Sequence, residues 1–418
     1  MRAIGAVRLL SSSPTMRRQV PDLPPPRFGD RSLFPDLTAR AYLNHSAISP
    51  PSSIIRRTLL DCANTYARIG VDAFMVFSEQ RERMRLAIST LIGASSPAEI
   101  ALTSGTSAGV MSIALCFPWK EGDKLVLFDG EFPANVTPWQ RAAKLYNLRP
   151  QMLSVSDFLP AHATGLERLE NTLKAGDVRL VAVSAVQFQN GLRMPLRAIG
   201  ELCHRYGAEL FVDAIQGCGS TPIHVDSENI DYLACGGHKH LMAVEGAGFL
   251  YIHQRRVAAL RPHVAGWLSL ENPIDFLLLG AGHMSYDRPV RKRADFIEAG
   301  GYNALGHAAL GAGIDVILGL GVAAIHEHSN RYNDLLEAGL LSRGFTSLRS
   351  PEIAGRSAIL SVLAPPGKNP VALHQQLGER GIAISLPDGK LRFAPHWPND
   401  PAEINLVLQA VDFVLPSC

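Results

Sequence analysis

The chain has 418 residues, 47% of them hydrophobic and 19% charged, enough for one large domain plus a smaller one with a substantial core. Its formal net charge of +2 provides neither a basic footprint for nucleic acid nor an acidic tail, so electrostatics point to no nucleic-acid partner. The six cysteines (Cys62, Cys116, Cys203, Cys218, Cys235 and Cys418) lack C-x-x-C spacing, which suits reduced thiols in a cytoplasmic enzyme and predicts no disulfide frame and no metal site.

Residues 1–18 carry Arg2, Arg8, Arg17 and Arg18, a serine cluster and no acid. That composition resembles an organelle transit peptide, but an unstructured extension, with Met16 as an alternative start, is the preferred reading. Residues 19–40 are proline-rich and predict an extended arm lying on the body. Helical periodicity covers Ile54 to Tyr66 and Glu79 to Ile92. Short apolar runs then alternate with helical stretches. These are Ile100–Thr103, Lys124–Phe128, Leu180–Ser184, Glu209–Asp213, Tyr232–Cys235 and Gly248–Ile252. Unbroken β-prone runs of this kind mark strands buried on both faces, and so a mostly parallel α/β sheet with its ligands at the carboxyl ends of the strands.

The stretch Ala304 to Ile325 is largely apolar, but its five glycines and Asp315 argue for a helix buried in protein and not for a membrane span. A long helical stretch to about Ser342 follows Gly300, then a strand at Ala358–Ala364. A helix at Pro370–Arg380 has Asn369 as N-cap, Pro387-Asp-Gly389 turns a hairpin, and a last helix spans Pro401–Phe413. Three regions result: an extension and arm (1–40), a large α/β domain (41–300), and a linking helix with a small α+β domain (301–418).

The chemistry concentrates around Lys239 in Cys235-Gly-Gly-His-Lys-His240, which stands 26 residues after Asp213 in Phe211-Val-Asp-Ala-Ile-Gln216. A carboxylate ending one apolar run, then a lysine in a glycine-loosened turn after the next, is what pyridoxal 5'-phosphate requires. The lysine holds the aldehyde as a Schiff base, and the carboxylate keeps the pyridine nitrogen protonated. Thr103-Ser-Gly-Thr-Ser-Ala-Gly109 follows a strand and opens a helix, whose unpaired N–H groups suit a phosphate. Taken alone it reads first as an ordinary strand-to-helix turn. Phe132 could lie on the cofactor ring or belong to the core. Gln216 could reach the phenolic oxygen, and His238 the phosphate or the ring. Arg392, in Leu391-Arg-Phe-Ala-Pro-His396, could take a substrate carboxylate bidentately or pair with an acid on the body.

These blocks, with Tyr42-Leu-Asn-His-Ser-Ala47, Asp129-Gly-Glu-Phe-Pro-Ala-Asn135 and Phe296-Ile-Glu-Ala-Gly300, occur in the order found in the class V aminotransferase family, which the chain resembles over about residues 40–415. That family includes cysteine desulfurases, kynureninase and isopenicillin N epimerase-like proteins. The resemblance implies the PLP-dependent transferase fold type I and a homodimer with shared active sites. It implies Lys239 as Schiff-base lysine, Asp213 at the ring nitrogen and Gln216 at the phenolic oxygen. It also implies Thr106, Ser107 and His238 at the phosphate, Phe132 on the ring and Arg392 on the substrate carboxylate. Asn44 and His45 are candidates near the substrate, with His45 a second acid–base group or a surface histidine.

Departures narrow the expectation. The segment from Gly381 to Arg392 is short and has no cysteine to accept sulfur, and Phe132 stands where desulfurases place a histidine. Gly236 and Gly301 replace a serine and a threonine that donate to the phosphate. Phe188 replaces an asparagine near the cofactor, with Gln187 and Asn190 as candidate substitutes. The expected enzyme acts on an α-amino acid through an external aldimine and a quinonoid, with Lys239 removing the α-proton. Aminotransferase ranks first, C–S or other β-lyase next, epimerase or decarboxylating chemistry third, cysteine desulfurase after these. A non-catalytic binding protein with this fold is the alternative from another class.

Overall fold

The computed structural model describes residues 23–418; the amino-terminal extension predicted for residues 1–18 lies outside the described residues. The arm is irregular, and Leu33 and Phe34 bury themselves in the main core, while Gly29 N–H donates to the carbonyl of Trp397. The arm therefore lies on the body, as its prolines suggest. It leads into a short strand, β1 (Ala41–Tyr42), and helices at Ser53–Ile69 and Ala73–Ile92 follow.

The central sheet has seven strands: β2 (Ile100–Thr103), β3 (Lys124–Phe128), β4 (Arg149–Leu153), β5 (Val178–Ser184), β6 (Glu209–Asp213), β7 (Tyr232–Gly236) and β8 (Gly248–Ile252). Their order is β2-β8-β7-β6-β5-β3-β4. β8 is antiparallel to both neighbours, and every other pair is parallel. Strands β2, β6, β7 and β8 are buried at every position, because helices cover both faces of the sheet. The α/β class and the fold-type-I layout follow from this sheet. Its register sets Ser184 beside Asp213 and Asp213 beside Ala234, so the carboxyl ends of β5, β6 and β7 share one edge.

Beyond Gly300 the long apolar stretch divides into two helices, Ala304–Leu320 and Val322–Leu341, bent by 78° at Gly321, whose φ of 83° ends the first helix. The first is a core helix, with Ala309, Leu310, Ile314 and Ile317 fully buried. Among the described residues no single helix is long and apolar enough to cross a membrane, although the bent pair together has the length and composition.

The carboxyl-terminal lobe contains β9 (Thr346–Ser347), β10 (Leu360–Leu363), β11 (Ile382–Ala383) and β12 (Leu391–Phe393), with helices at Pro370–Glu379 and Glu403–Val414. Asn369 caps the first of these helices, its side chain accepting from the N–H groups of Val371 and Ala372. The predicted hairpin is largely absent. β11 pairs in parallel with β1, β12 pairs with β10, and one bridge between Ser385 and Arg392 remains of the expected arms. Arg392 thus sits on an edge strand, backed by Ser361 on β10.

Candidate active site

A cavity of about 640 Å³ opens at the carboxyl edge of the sheet and is bordered by Thr106, Ser107, Phe132, Asp213, Gln216, His238, Lys239 and Arg392. Five different segments bring these side chains together. The turn after β2 leads into the helix Thr106–Cys116, whose amino end has no side-chain cap and starts from Gly105 at φ 150°. Thr106 Oγ1 is buried there without a partner among the described residues. β8 approaches this turn so closely that a Cβ on Gly248 would stand 2.8 Å from Gly105 Cα. An uncapped helix start beside a buried, unpartnered hydroxyl is a phosphate cradle in its chemistry.

Asp213 ends β6, almost fully buried, and accepts from the N–H of Ile215 at 3.0 Å. Burial pushes its carboxyl up, Glu131 adds to the shift, and the Ile215 N–H and Lys239 oppose it. A protonated ring nitrogen would supply the missing cation. Lys239 lies in the turn after β7, its carbonyl accepting from Ser49 Oγ at 2.7 Å and from Met242 N–H at 2.9 Å. Burial pulls its ammonium down to about 8, Arg392 adds to the shift and Asp213 opposes it, which enlarges the fraction of neutral amine. Its Nζ stands 5.4 Å from the centre of the Phe132 ring.

Arg392 is oriented on two sides. Its Nε donates to Ser385 Oγ at 2.9 Å and its NH1 donates to the Phe188 carbonyl at 2.7 Å. Burial lowers its pKa to about 10, and among the described residues no carboxylate is paired with it. A buried guanidinium without a counter-ion is a site for an incoming carboxylate.

Three sequence candidates do not border the cavity. Gln187 is buried behind the wall, its Nε2 donating to Glu131 at 2.9 Å, so the amide proposed to replace the missing asparagine is turned toward Glu131. His45 is neither at a mouth nor at the surface. It is 1% exposed, with Nδ1 against Ser49 Oγ at 2.8 Å, in a cluster with His240 and His396. Asn44 bridges to Ala394 beside β12. Gln216 does reach the cavity, but its Nε2 donates to the Ser46 carbonyl at 3.0 Å and leaves Oε1 unpartnered. The second Nε2 hydrogen is left to donate to a phenolic oxygen. Gly301 borders an adjoining cavity of about 320 Å³ that shares Ser104, Ala108 and Gly246 with the first.

Glu131 escaped the sequence reading. It is buried and accepts from the N–H and Oγ of Ser184 and from Gln187. Its position directly before Phe132 was the available signal; a lone acid in a turn gives no hint of burial.

The residues present fit pyridoxal phosphate: an anion cradle at Thr106, a buried acid at Asp213 and a poised amine at Lys239 enclose one cavity. Together with the fold they define a pyridoxal-phosphate-dependent enzyme of fold type I. The chain belongs to the class-V aminotransferase family, whose profile matches residues 51–390.

Its relatives carry two kinds of name. A probable cysteine desulfurase of Chlamydia trachomatis is 30% identical over 304 residues, covering 72% of each chain. An uncharacterized aminotransferase of Bacillus subtilis is 30% identical over 245 residues, 59% of this chain and 64% of that protein. Among solved structures, the cystine C-S lyase C-DES with cysteine persulfide superposes with a TM-score of 0.82 at 22% identity, over 91% of this chain and 99% of that one. A cysteine desulfurase of Thermococcus onnurineus gives 0.79 at 23%, over 90% and 95%. These structural likenesses establish the fold.

Proposed function

We propose that the protein removes the α-proton of an α-amino acid and moves it within one face of the site, the chemistry of an aminotransferase. Pyridoxal phosphate, when bound, supplies the electron sink that makes this proton acidic. Thr106, Ser107 and His238 would hold its phosphate, Asp213 its ring nitrogen and Phe132 its face. Arg392 binds the substrate carboxylate and so fixes the α-carbon relative to Lys239. Lys239 Nζ takes the proton and returns it to a neighbouring carbon.

The observation that carries this reading is the arrangement around Lys239: a buried amine faced by the Phe132 ring, where a second acid–base group would otherwise stand. Transamination needs one base. Epimerisation needs another on the opposite face, and elimination of a poor leaving group is helped by an acid near the β-substituent. The histidine His45 is walled off from the cavity.

C–S or other β-lyase activity is the second reading, favoured by relatives named cysteine desulfurases and by the likeness to a cystine C-S lyase. Transfer of sulfur to a thiol of this chain is disfavoured, because none of the cavity-lining residues is a cysteine. The two readings separate on products. An amino-acid panel incubated with and without a 2-oxo acid should give keto acid when the acceptor is present. Ammonia and pyruvate released without an acceptor would establish the lyase instead.

We further propose a cytoplasmic homodimer with shared sites. The run Phe276-Leu-Leu-Leu279 is exposed on the single chain, as are Met284 and Trp267, an apolar surface of the kind a partner covers.

A further inference from the structure

Ser49 holds the backbone of Lys239 on both sides of its α-carbon. Its N–H donates to the His238 carbonyl at 2.8 Å, and its Oγ donates to the Lys239 carbonyl at 2.7 Å. Those two carbonyls belong to the peptide planes that meet at the Lys239 α-carbon. With both planes held, the two soft dihedrals between them are set, and with them the direction in which the lysine side chain leaves the backbone.

A hydroxyl has one proton to donate, and a carbonyl oxygen can only accept. The Ser49 proton therefore lies toward Lys239, and Oγ accepts from His45 Nδ1, 2.8 Å away. This fixes His45 as the Nδ1–H tautomer, and burial holds its ring toward the neutral form, with His396 adding to the shift. A donor at Nδ1 keeps the hydroxyl turned to the lysine. Both side chains are 1% exposed within the single chain, so water does not compete for these bonds and a second copy has no surface of theirs to touch. The same segment is tied at its other end to the strand of Arg392. Ala394 N–H donates to the Leu43 carbonyl at 2.7 Å, and the Ala394 carbonyl accepts from His45 N–H at 3.2 Å.

We propose that Ser49 and His45 are positioning residues for Lys239: His45 Nδ1–H orients the Ser49 hydroxyl, and Ser49 aims the lysine at the cofactor aldehyde. The proposal rests on the reading of Lys239 as the lysine that holds the cofactor. It deepens that reading by naming the groups that place the amine before any substrate arrives.

The experiment compares two ligands of the full chain by calorimetry: pyridoxal 5'-phosphate, and pyridoxine 5'-phosphate, which has an alcohol in place of the aldehyde. The Lys239 amine joins the aldehyde carbon with loss of water and cannot join the alcohol. The first ligand thus reads lysine placement, and the second reads the rest of the site. Ser49→Ala should weaken pyridoxal phosphate binding by about five- to tenfold, the scale of one hydrogen bond, and leave pyridoxine phosphate within about twofold. His45→Leu should lower the same ratio by about threefold, and His45→Asn, which keeps an N–H near the Nδ1 position, should restore it. Because the two residues act in series, the double variant Ser49→Ala with His45→Leu should be no worse than Ser49→Ala alone. In Ser49→Ala the Lys239 carbonyl still accepts from Met242 N–H, so no buried acceptor is stranded there. Should that variant fail to fold, the two His45 variants read the same relay from its far end. An unchanged ratio in Ser49→Ala, equal losses for both ligands, or losses that multiply in the double variant would overturn the proposal while leaving Lys239 in its role. A wild-type chain that binds both ligands alike and gains no absorption band with the aldehyde would overturn the assignment of Lys239 itself, and this inference with it.

Discussion

Glu131 accepts the backbone N–H of Ser184 at 2.6 Å, and this bond ties the turn that carries Phe132 to the end of β5, directly beside Asp213 in register. The same carboxyl is pushed up by burial and itself helps to raise Asp213. Glu131→Gln keeps the shape and removes the charge. The acid limb in a pH titration of cofactor absorption should then move to lower pH, since a neighbouring negative charge that disfavoured ionisation of Asp213 is gone. Glu131→Ala leaves buried donors unpaired and should cost about 1–3 kcal/mol in denaturant unfolding. An unmoved limb in the glutamine variant would separate Glu131 from Asp213.

Arg392 is held by Ser385 and Phe188 and has no paired carboxylate among the described residues. Arg392→Gln should weaken amino-acid binding by about 2–5 kcal/mol, thirtyfold or more in dissociation constant. Arg392→Lys should recover only part of this, because a point charge cannot reproduce the planar fork. Binding unchanged in both variants would assign the carboxylate to another group.

His45, His240 and His396 are packed together, nearly inaccessible, and among the described residues both ring nitrogens of His240 and His396 lack a hydrogen-bond partner. Burial holds all three below the ordinary histidine range, His396 down to about 3. Their folded-state values lie below those of the unfolded chain, so under acid the unfolded state binds more protons. Stability from this cluster is complete above about pH 6.5 and is lost as pH falls toward the folded values, by roughly 1.4 kcal/mol per pH unit for each histidine. Thermal melts should therefore fall steadily between about pH 6.5 and 5, and His396→Gln should flatten the slope by about one histidine's share. A melting temperature independent of pH in that window would contradict it.

Glu298 receives Arg81 and Arg85 and accepts the N–H of Leu102 at 2.8 Å, joining the helix Ala73–Ile92 to the strand that ends at the phosphate turn. Arg85 and Glu298 are both nearly inaccessible. Glu298→Ala removes the carboxylate of Arg81 and leaves Arg85 with only the exposed Glu82, and should destabilise the chain by about 3–5 kcal/mol, measured by urea unfolding. A loss below about 1 kcal/mol would mark the pair as solvent-screened.

Legibility followed burial. Strands β2, β3, β6 and β8 read at their full bounds because both faces are covered and nothing polar interrupts them. β4 was missed, since it lies at the sheet edge and its sequence Arg149-Pro-Gln-Met-Leu153 is mostly half-exposed or exposed. The hairpin expected around Pro387-Asp-Gly389 failed because β11 found β1, a partner some 340 residues away that local turn chemistry cannot reveal. In the candidate site, Asp213 was readable at a strand end, Lys239 in the turn after one, Arg392 within an apolar strand, and Thr106 through the family resemblance. Gln187, Asn44 and His45 lie off the cavity, where Gln187 donates to Glu131, the Asn44 backbone bridges to Ala394 and His45 meets Ser49, and residue type alone names none of these partners. Glu131 and Phe188 needed the three-dimensional arrangement, since the contacts that define them cross 53 and 204 residues.

Every proposed step needs the amine of Lys239 to hold the cofactor aldehyde. The full chain reconstituted with pyridoxal phosphate is reduced with borohydride, digested and examined by mass spectrometry. A phosphopyridoxyl group fixed on the peptide containing Lys239, and absent from Lys239→Ala, is the predicted result. A chain that stays colourless and carries no label on this lysine would contradict the assignment.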